Sequence, residues 1–352
     1  MEDDTRIISW LAALPPTKRK RRDPLTPPET KSDAYAMDTP PSKQSAPAVP
    51  LIDDAPGAEV AKVFEAARRC EDREQNEAGW NQAVHFPLLR LALPAGGVID
   101  FEPCTTAGIT PEILPLSASS GRKVDYCLIV NKPVDLGQPA LEVIGNAPAR
   151  ETPREMIRLL RCTLPGLSIN HTDFNALKKF PIAVSIETKK PGQSDEQAKV
   201  QVGVWQAAQW KMLHWQQDEL LRQMELATAS AQAESTSVDH QAGDEAGANA
   251  MEQDAEGRAA MPAPHSCIPP LVFLPAVIVV GHQWRIAATT CEERGGPTLL
   301  WMGSQIGTTD SMLGIYRIIW CVRRLARYAS ERYWPWYAEN ILGLRYEAPK
   351  DG

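Results

Sequence analysis

The stretch IAVSIETKKPG, residues 182–192, decides how the chain is read. Ile182, Val184 and Ile186 alternate with Ala183, Ser185 and Glu187, which is the period of a β-strand. The alternation carries Glu187 and Lys189 onto one face, two residues apart, and Pro191–Gly192 ends the strand. A hydrophobic strand that closes on a carboxylate and an ammonium calls for an explanation, because buried charges are paired or in use.

Two further acids stand out on either side. KVDYCLIV (residues 123–130) reads as a strand over 124–130, with Val124, Tyr126, Leu128 and Val130 on one face and Asp125, Cys127 and Ile129 on the other. NEAGWNQAVHFPLLRLAL (residues 76–93) has helical spacing, and Trp80, Val84, Leu88 and Leu91 form its stripe. Glu77 lies on that stripe. It also lies in the first turn after Asn76, where the helix dipole favours an acid for structural reasons alone. A long helix is expected over 195–226, opened by the Ser194/Gln197 capping pattern.

The rest of the chain supplies a frame. Helical spacing runs through AEVAKVFEAARRCEDREQ (58–75), PREMIRLLRCTL (153–164), TDFNALKKF (172–180) and the segment 309–334. Short strands are expected at GVIDFEP (97–103), at two runs joined near Gly281, and at GPTLLWMGS (296–304). Residues 1–55 form a Pro-rich, basic tail that cannot bury enough surface to become ordered. Residues 227–266 carry seven acids against Arg258 alone and read as a disordered acidic insertion. The folded domain is thus expected in two parts, 56–226 and 267–346. Within the tail, IISWLAALP (7–15) is a docking segment or a weakly packed stub. The basic block Lys18, Arg19, Lys20, Arg21 and Arg22 reads as a nuclear import signal for an import receptor.

Bulk properties narrow the class. The net charge of −7 argues against a general nucleic-acid coat, so any contact must be local. The seven cysteines are scattered without a CxxC pair, which suggests neither a zinc site nor a disulfide framework. The longest apolar run, Leu271–Val280, contains Pro275 and is too short to span a bilayer. A soluble protein of the nucleus, otherwise the cytoplasm, is expected, neither secreted nor membrane-bound.

If the strands of Asp125 and Glu187 are neighbours, both carboxylates can converge on one divalent ion, Mg²⁺ or Mn²⁺, of the kind that hard oxygen ligands suit. Lys189 could then orient water or hold a phosphate oxygen, and Glu77 could complete the shell. Clustered carboxylates repel, so neutralising any of the three is expected to leave stability unchanged or raised.

This arrangement resembles the PD-(D/E)xK nuclease superfamily, with Asp125 as the first acid and Glu187-Thr188-Lys189 as the Glu-x-Lys element. Glu77 matches the helix acid before the sheet, and Gln201 the polar position on the following helix. The wider text, in KVDYCLIV, IETKKPG, QVGVWQAAQW, HQWRIAATT, GIYRIIW and LARYASERYWPWY, is similar to a fungal group of nuclease-like proteins of that superfamily. The resemblance implies a restriction-endonuclease-like α/β fold, a three-layer core with a mixed β-sheet flanked by helices. It also implies metal-dependent hydrolysis of nucleic acid, DNA first, with Asp125, Glu187 and Glu77 as metal ligands. Arg122, Lys123, Lys190 and Lys199 are candidate phosphate contacts. The alternatives are a catalytically silent nuclease fold that binds nucleic acid or a protein partner, and a scaffold in which the acids are structural ion pairs.

Overall fold

The computed structural model describes residues 57–114, 123–131, 142–143, 152–239 and 270–345. The 1–55 tail with its segment 7–15 and basic block Lys18–Arg22, Arg122, and residues 240–266 of the acidic segment lie outside the described residues.

Six strands form one mixed sheet. β1 (Ile99–Pro103), β2 (Tyr126–Val130), β4 (Ile182–Lys189), β5 (Leu274–Val280), β6 (Gln283–Thr290) and β7 (Leu299–Thr308) lie side by side in that order. A separate two-stranded pairing joins β3 (Glu142–Val143) to β8 (Leu344–Arg345). β4 is buried along its whole length because it is interior, antiparallel to β2 and parallel to β5. An interior strand has both faces covered, which is why its apolar alternation includes Ala and Ser rather than exposed polar residues. β5 and β6 meet at Gly281, whose φ of +54° places it in the left-handed region.

Helices cover both faces. α1 (Gly57–Asp72), α2 (77–92) and α5 (Met312–Tyr328) pack on the face of Tyr126, Leu128, Val184, Ile186, Val277 and Val279. α2 is Glu77–Trp80, a π-turn at Asn81–His85, and Phe86–Ala92 run on as one helix. α3 (Pro153–Arg161) sits in the connection from β3 to β4. The first turns of α4 (Asp195–Asp239) bring Ala198, Val202 and Trp205 onto the other face, against Cys127, Ile129, Ile182, Ala276 and Ile278. A second π-turn, Ala329–Tyr333, leads from α5 into α6 (Trp334–Asn340). This is the three-layer α/β core that the sequence resemblance implies. Among the described residues, no helix is long and apolar enough to cross a membrane.

Five local differences stand out, four of them with a physical cause. β2 starts at Tyr126, so Val124 escapes the alternation and packs with Cys127 and Ile129. The β2–β4 register slips between Leu128 and Ile129, skipping Ala183; Ile182 therefore joins the α4 face, away from Val184 and Ile186. The extra residue of the π-turn rotates the α2 stripe, so Leu89 is fully buried and Leu91 only partly so. α4 continues to Asp239 rather than ending at 226, because ATASAQA is rich in the strongest helix former. Residues 175–179 form turns in place of the expected helix.

α5 approaches β7 closely through Gly314 on the helix and Gly307 on the strand. A methyl group at Gly314 would collide with the Thr308 carbonyl oxygen, whereas one at Gly203, inside α4, meets nothing within 4 Å. Gly314→Ala should lower stability by about 1–3 kcal/mol through overpacking. Gly203→Ala should raise it by up to about 1 kcal/mol through helix propensity. Urea unfolding of both variants checks the pair.

Candidate active site

The site forms where β4 outruns β2. The β2–β4 ladder stops at Tyr126 opposite Ile186, while β4 stays paired with β5 as far as Lys189 opposite Val280. Glu187, Thr188 and Lys189 therefore have a strand on one side only. On the open side Asp125 takes over. Its backbone N–H donates to the Ile186 carbonyl at 3.0 Å. Its side-chain Oδ2 accepts the Thr188 N–H at 2.8 Å, standing in for a strand carbonyl.

A buried polar network fixes that carboxylate. Thr188 Oγ1 lies 2.8 Å from both Asp125 Oδ2 and Asn81 Oδ1. Asn81 Nδ2 donates to Asp125 Oδ1 at 3.2 Å. With its amide nitrogen so used, Asn81 presents its oxygen to His85 Nδ1 at 2.8 Å, which makes that nitrogen the protonated one. His85 is fully buried, and burial pulls its pKa down to about 3, so the ring is neutral. The π-turn places Asn81 and His85 at its two ends. Tyr126 Oη donates to the Asn81 carbonyl at 2.9 Å, which ties this turn to β2.

The Glu-x-Lys pair is buried, not exposed. Glu187 is 1% exposed and Lys189 is 6%. Lys189 Nζ donates to Glu187 Oε1, to the Thr188 carbonyl at 3.0 Å and to Glu77 Oε2 at 3.3 Å. All three ammonium protons are thus taken. Burial, then the neighbouring Asp125, pushes the Glu187 carboxyl up to about 8, and Lys189 offsets only part of this. Burial pulls the Lys189 pKa down, but Glu187, Glu77 and Asp125 outweigh it and the net shift is upward.

These groups open on a cleft of about 600 Å³ whose lining includes Glu77, Asn81, Phe86, Lys123, Asp125, Glu187 and Gln201. The fold thus brings Glu77, Asp125, Glu187 and Gln201 to one place, with Lys189 bonded to two of them. Gln201 Nε2 donates to the Lys123 carbonyl at 3.3 Å, linking α4 to the segment that carries Asp125. Among the candidate phosphate contacts, Lys123 is exposed in the cleft wall. Lys190 and Lys199 are not among its lining residues, and the Lys199 ammonium pairs with Asp195 at 3.3 Å and Glu196 at 2.7 Å. Sequence reasoning missed Asn81, His85 and Thr188. The Asn81/His85 spacing of four was a signal, but the same spacing fits an ordinary exposed helix face.

Among the described residues, no group of three or more His, Cys, Asp or Glu side chains is gathered closely enough to hold a metal ion. Glu77 and Glu187 turn toward Lys189, and Asp125 is bonded to Thr188 and Asn81. The donor chemistry still fits a small divalent cation. Asp125 raises the proton affinity of Glu187, so the pair carries a repulsion that a cation would relieve. Mg²⁺ keeps most of its own waters, so one or two protein carboxylates suffice.

A family model for the PD-(D/E)XK nuclease superfamily matches residues 21–334. No curated protein and no solved structure matches the chain.

The expectation that every acid variant holds or gains stability needs correcting at Asp125. Its oxygens face three donors from Thr188 and Asn81, and an asparagine there would set an N–H against at least one of them. Asp125→Asn should cost about 1–3 kcal/mol, measured by chemical unfolding without metal. Glu187 behaves differently. Its folded pKa lies above its unfolded value, so its stabilising contribution is complete below about pH 4.5 and is lost as pH rises toward 8. The buried His85 and His171, both pulled down to about 3, act oppositely, as does His214, lowered by burial; their unfolded imidazoles are half protonated at about pH 6.5 and neutral by about pH 7.5. In EDTA, wild-type stability should therefore fall between about pH 7.5 and 8, where the histidines no longer oppose Glu187, and Glu187→Gln should remove most of that slope. Thermal unfolding across this range checks it.

Proposed function

The chain belongs to the PD-(D/E)XK nuclease superfamily, and we propose from that premise that it hydrolyses phosphodiester bonds of nucleic acid, DNA in the first instance. Divalent metal ions are the general cofactors of this superfamily. In this reading Asp125 and Glu187 hold Mg²⁺ or Mn²⁺. The observation that carries it is the meeting of both carboxylates in one cleft with Lys189 bonded to Glu187.

Each residue has a role that follows from its surroundings. Thr188 and Asn81 supply three donors to Asp125, which leave about one of its lone-pair sites for a cation and fix its direction. Glu187 is buried, so its affinity for a positive charge is high. Lys189 has a raised pKa and stays protonated near neutral pH; it therefore serves to offset phosphate charge, not to remove a proton. Glu77 anchors the Lys189 ammonium. When bound, a divalent cation supplies Lewis acidity toward phosphate and water. Gln201 braces the cleft through the Lys123 carbonyl.

A second reading has its own observation. Lys189 is paired with both Glu187 and Glu77, which is what a structural ion pair in a catalytically silent fold would show. Such a protein would bind nucleic acid or a protein partner without cutting. Nuclear import through Lys18–Arg22 is also proposed from the sequence, and deletion of that block should weaken nuclear accumulation.

Cleavage assays on DNA and RNA in Mg²⁺ and Mn²⁺ separate the two readings. Glu187→Gln and Lys189→Ala should each slow cleavage by about 10² to 10³. Glu187→Gln should also weaken Mn²⁺ binding, while Lys189→Ala should leave it largely intact, because an ammonium is not a ligand. Glu77→Gln should be milder. Wild-type protein that never cuts would establish the silent reading.

A further inference from the structure

Phe86 is a large apolar side chain left 38% exposed, and it lines the same cleft as Glu77, Asp125 and Glu187. It follows the π-turn directly. Its ring meets Phe101 edge-on at a centroid distance of 5.2 Å, and Phe101 packs in turn on Tyr126 at 6.1 Å. The Arg90 guanidinium lies 4.4 Å from the Phe101 centroid and 5.8 Å from that of Phe86, and is itself held to Asp100 at 2.9 Å. Phe86 is thus a braced, partly bare aromatic surface beside the acids.

The charge of the cleft points the same way. Its described lining holds one cation, Lys123, against Glu77, Asp125 and Glu187, and the whole chain carries −7. A duplex gripped by its backbone needs several Lys or Arg contacts to phosphate, and these side chains do not supply them. Single-strand sites add aromatic stacking, which tolerates any sequence, to their phosphate contacts, so Phe86 can supply binding that few cations leave unmet. Gln82, four residues before Phe86 on the same wall, adds a neutral hydrogen-bonding group.

We propose that the cleft receives an unpaired base stacked on Phe86, so that the substrate is single-stranded or frayed nucleic acid, not an intact duplex. The inference rests on the nuclease reading, which supplies the nucleic acid. It adds what the superfamily alone does not specify, the strandedness of the substrate and the residue that selects it.

The test uses the full chain in Ca²⁺, with a 2-aminopurine-labelled DNA single strand and the matching duplex as probes. Wild-type protein should bind the single strand more tightly and quench its fluorescence. Phe86→Ala should weaken single-strand binding on the order of tenfold or more and leave duplex binding unchanged. Phe86→Leu, which keeps the apolar bulk without the ring, should behave like Phe86→Ala, and Phe86→Trp should bind at least as well as wild type. Equal binding by wild type and Phe86→Leu, or a preference for duplex, would overturn the proposal. Parallel cleavage in Mg²⁺ keeps the two readings apart. A strand that is bound and stacked but never cut supports the stacking site and rejects hydrolysis. Cleavage of duplex without dependence on Phe86 rejects the stacking site and keeps hydrolysis. Binding of neither probe overturns both.

Discussion

The structure of the site depends on one hydrogen bond, the Thr188 N–H given to the Asp125 carboxylate instead of a strand carbonyl. A backbone donor at the end of an interior strand must find an acceptor. Here the neighbouring strand ends early, and its last side chain before the ladder provides that acceptor. This substitution holds β4 in register with nothing beyond Asp125 on that side. The result is an opening at Glu187–Lys189, with a fixed carboxylate at its edge.

The same substitution concentrates charge. Asp125 is fixed by protein donors and cannot turn away from Glu187, which is itself buried. Lys189 compensates within the protein, drawing on Glu187, Glu77 and the Thr188 carbonyl together. A site held in this way is costly when empty of cations and gains when one arrives. That coupling is a general feature of metal sites built from deprotonated ligands. Burial and the neighbouring Asp125 account for the raised carboxyl of Glu187, and Glu187, Glu77 and Asp125 together for the protonated Lys189.

Much of the architecture was legible because period-2 and period-3.6 patterns report burial directly. β4 was bounded correctly at both ends, because Pro181 precedes it and Pro191–Gly192 follows. The Asp125 and Glu187 strands were recognisable as partners only through the Glu-x-Lys resemblance, since 62 residues (187 minus 125) separate the two acids. What the sequence concealed was mostly one-residue slippage. The bulge that skips Ala183 and the π-turn at Asn81–His85 each add one residue to a regular pattern, and neither leaves a compositional mark. The π-turn is why Asn81, adjacent to the fully buried Trp80, could not be recognised as a partner of Asp125. The extension of α4 to Asp239 was hidden for the opposite reason: acids and serines suggested disorder while the alanines favoured helix.

The central claim is that Asp125 and Glu187 together hold a divalent cation in this cleft. The most direct measurement is an anomalous-scattering map from crystals of the full chain soaked in Mn²⁺. The account predicts a peak in the cleft with oxygens of both Asp125 and Glu187 at coordination distance, on the order of 2.0–2.6 Å. A map with no peak there, and Lys189 still bonded to Glu187 at saturating Mn²⁺, would contradict it.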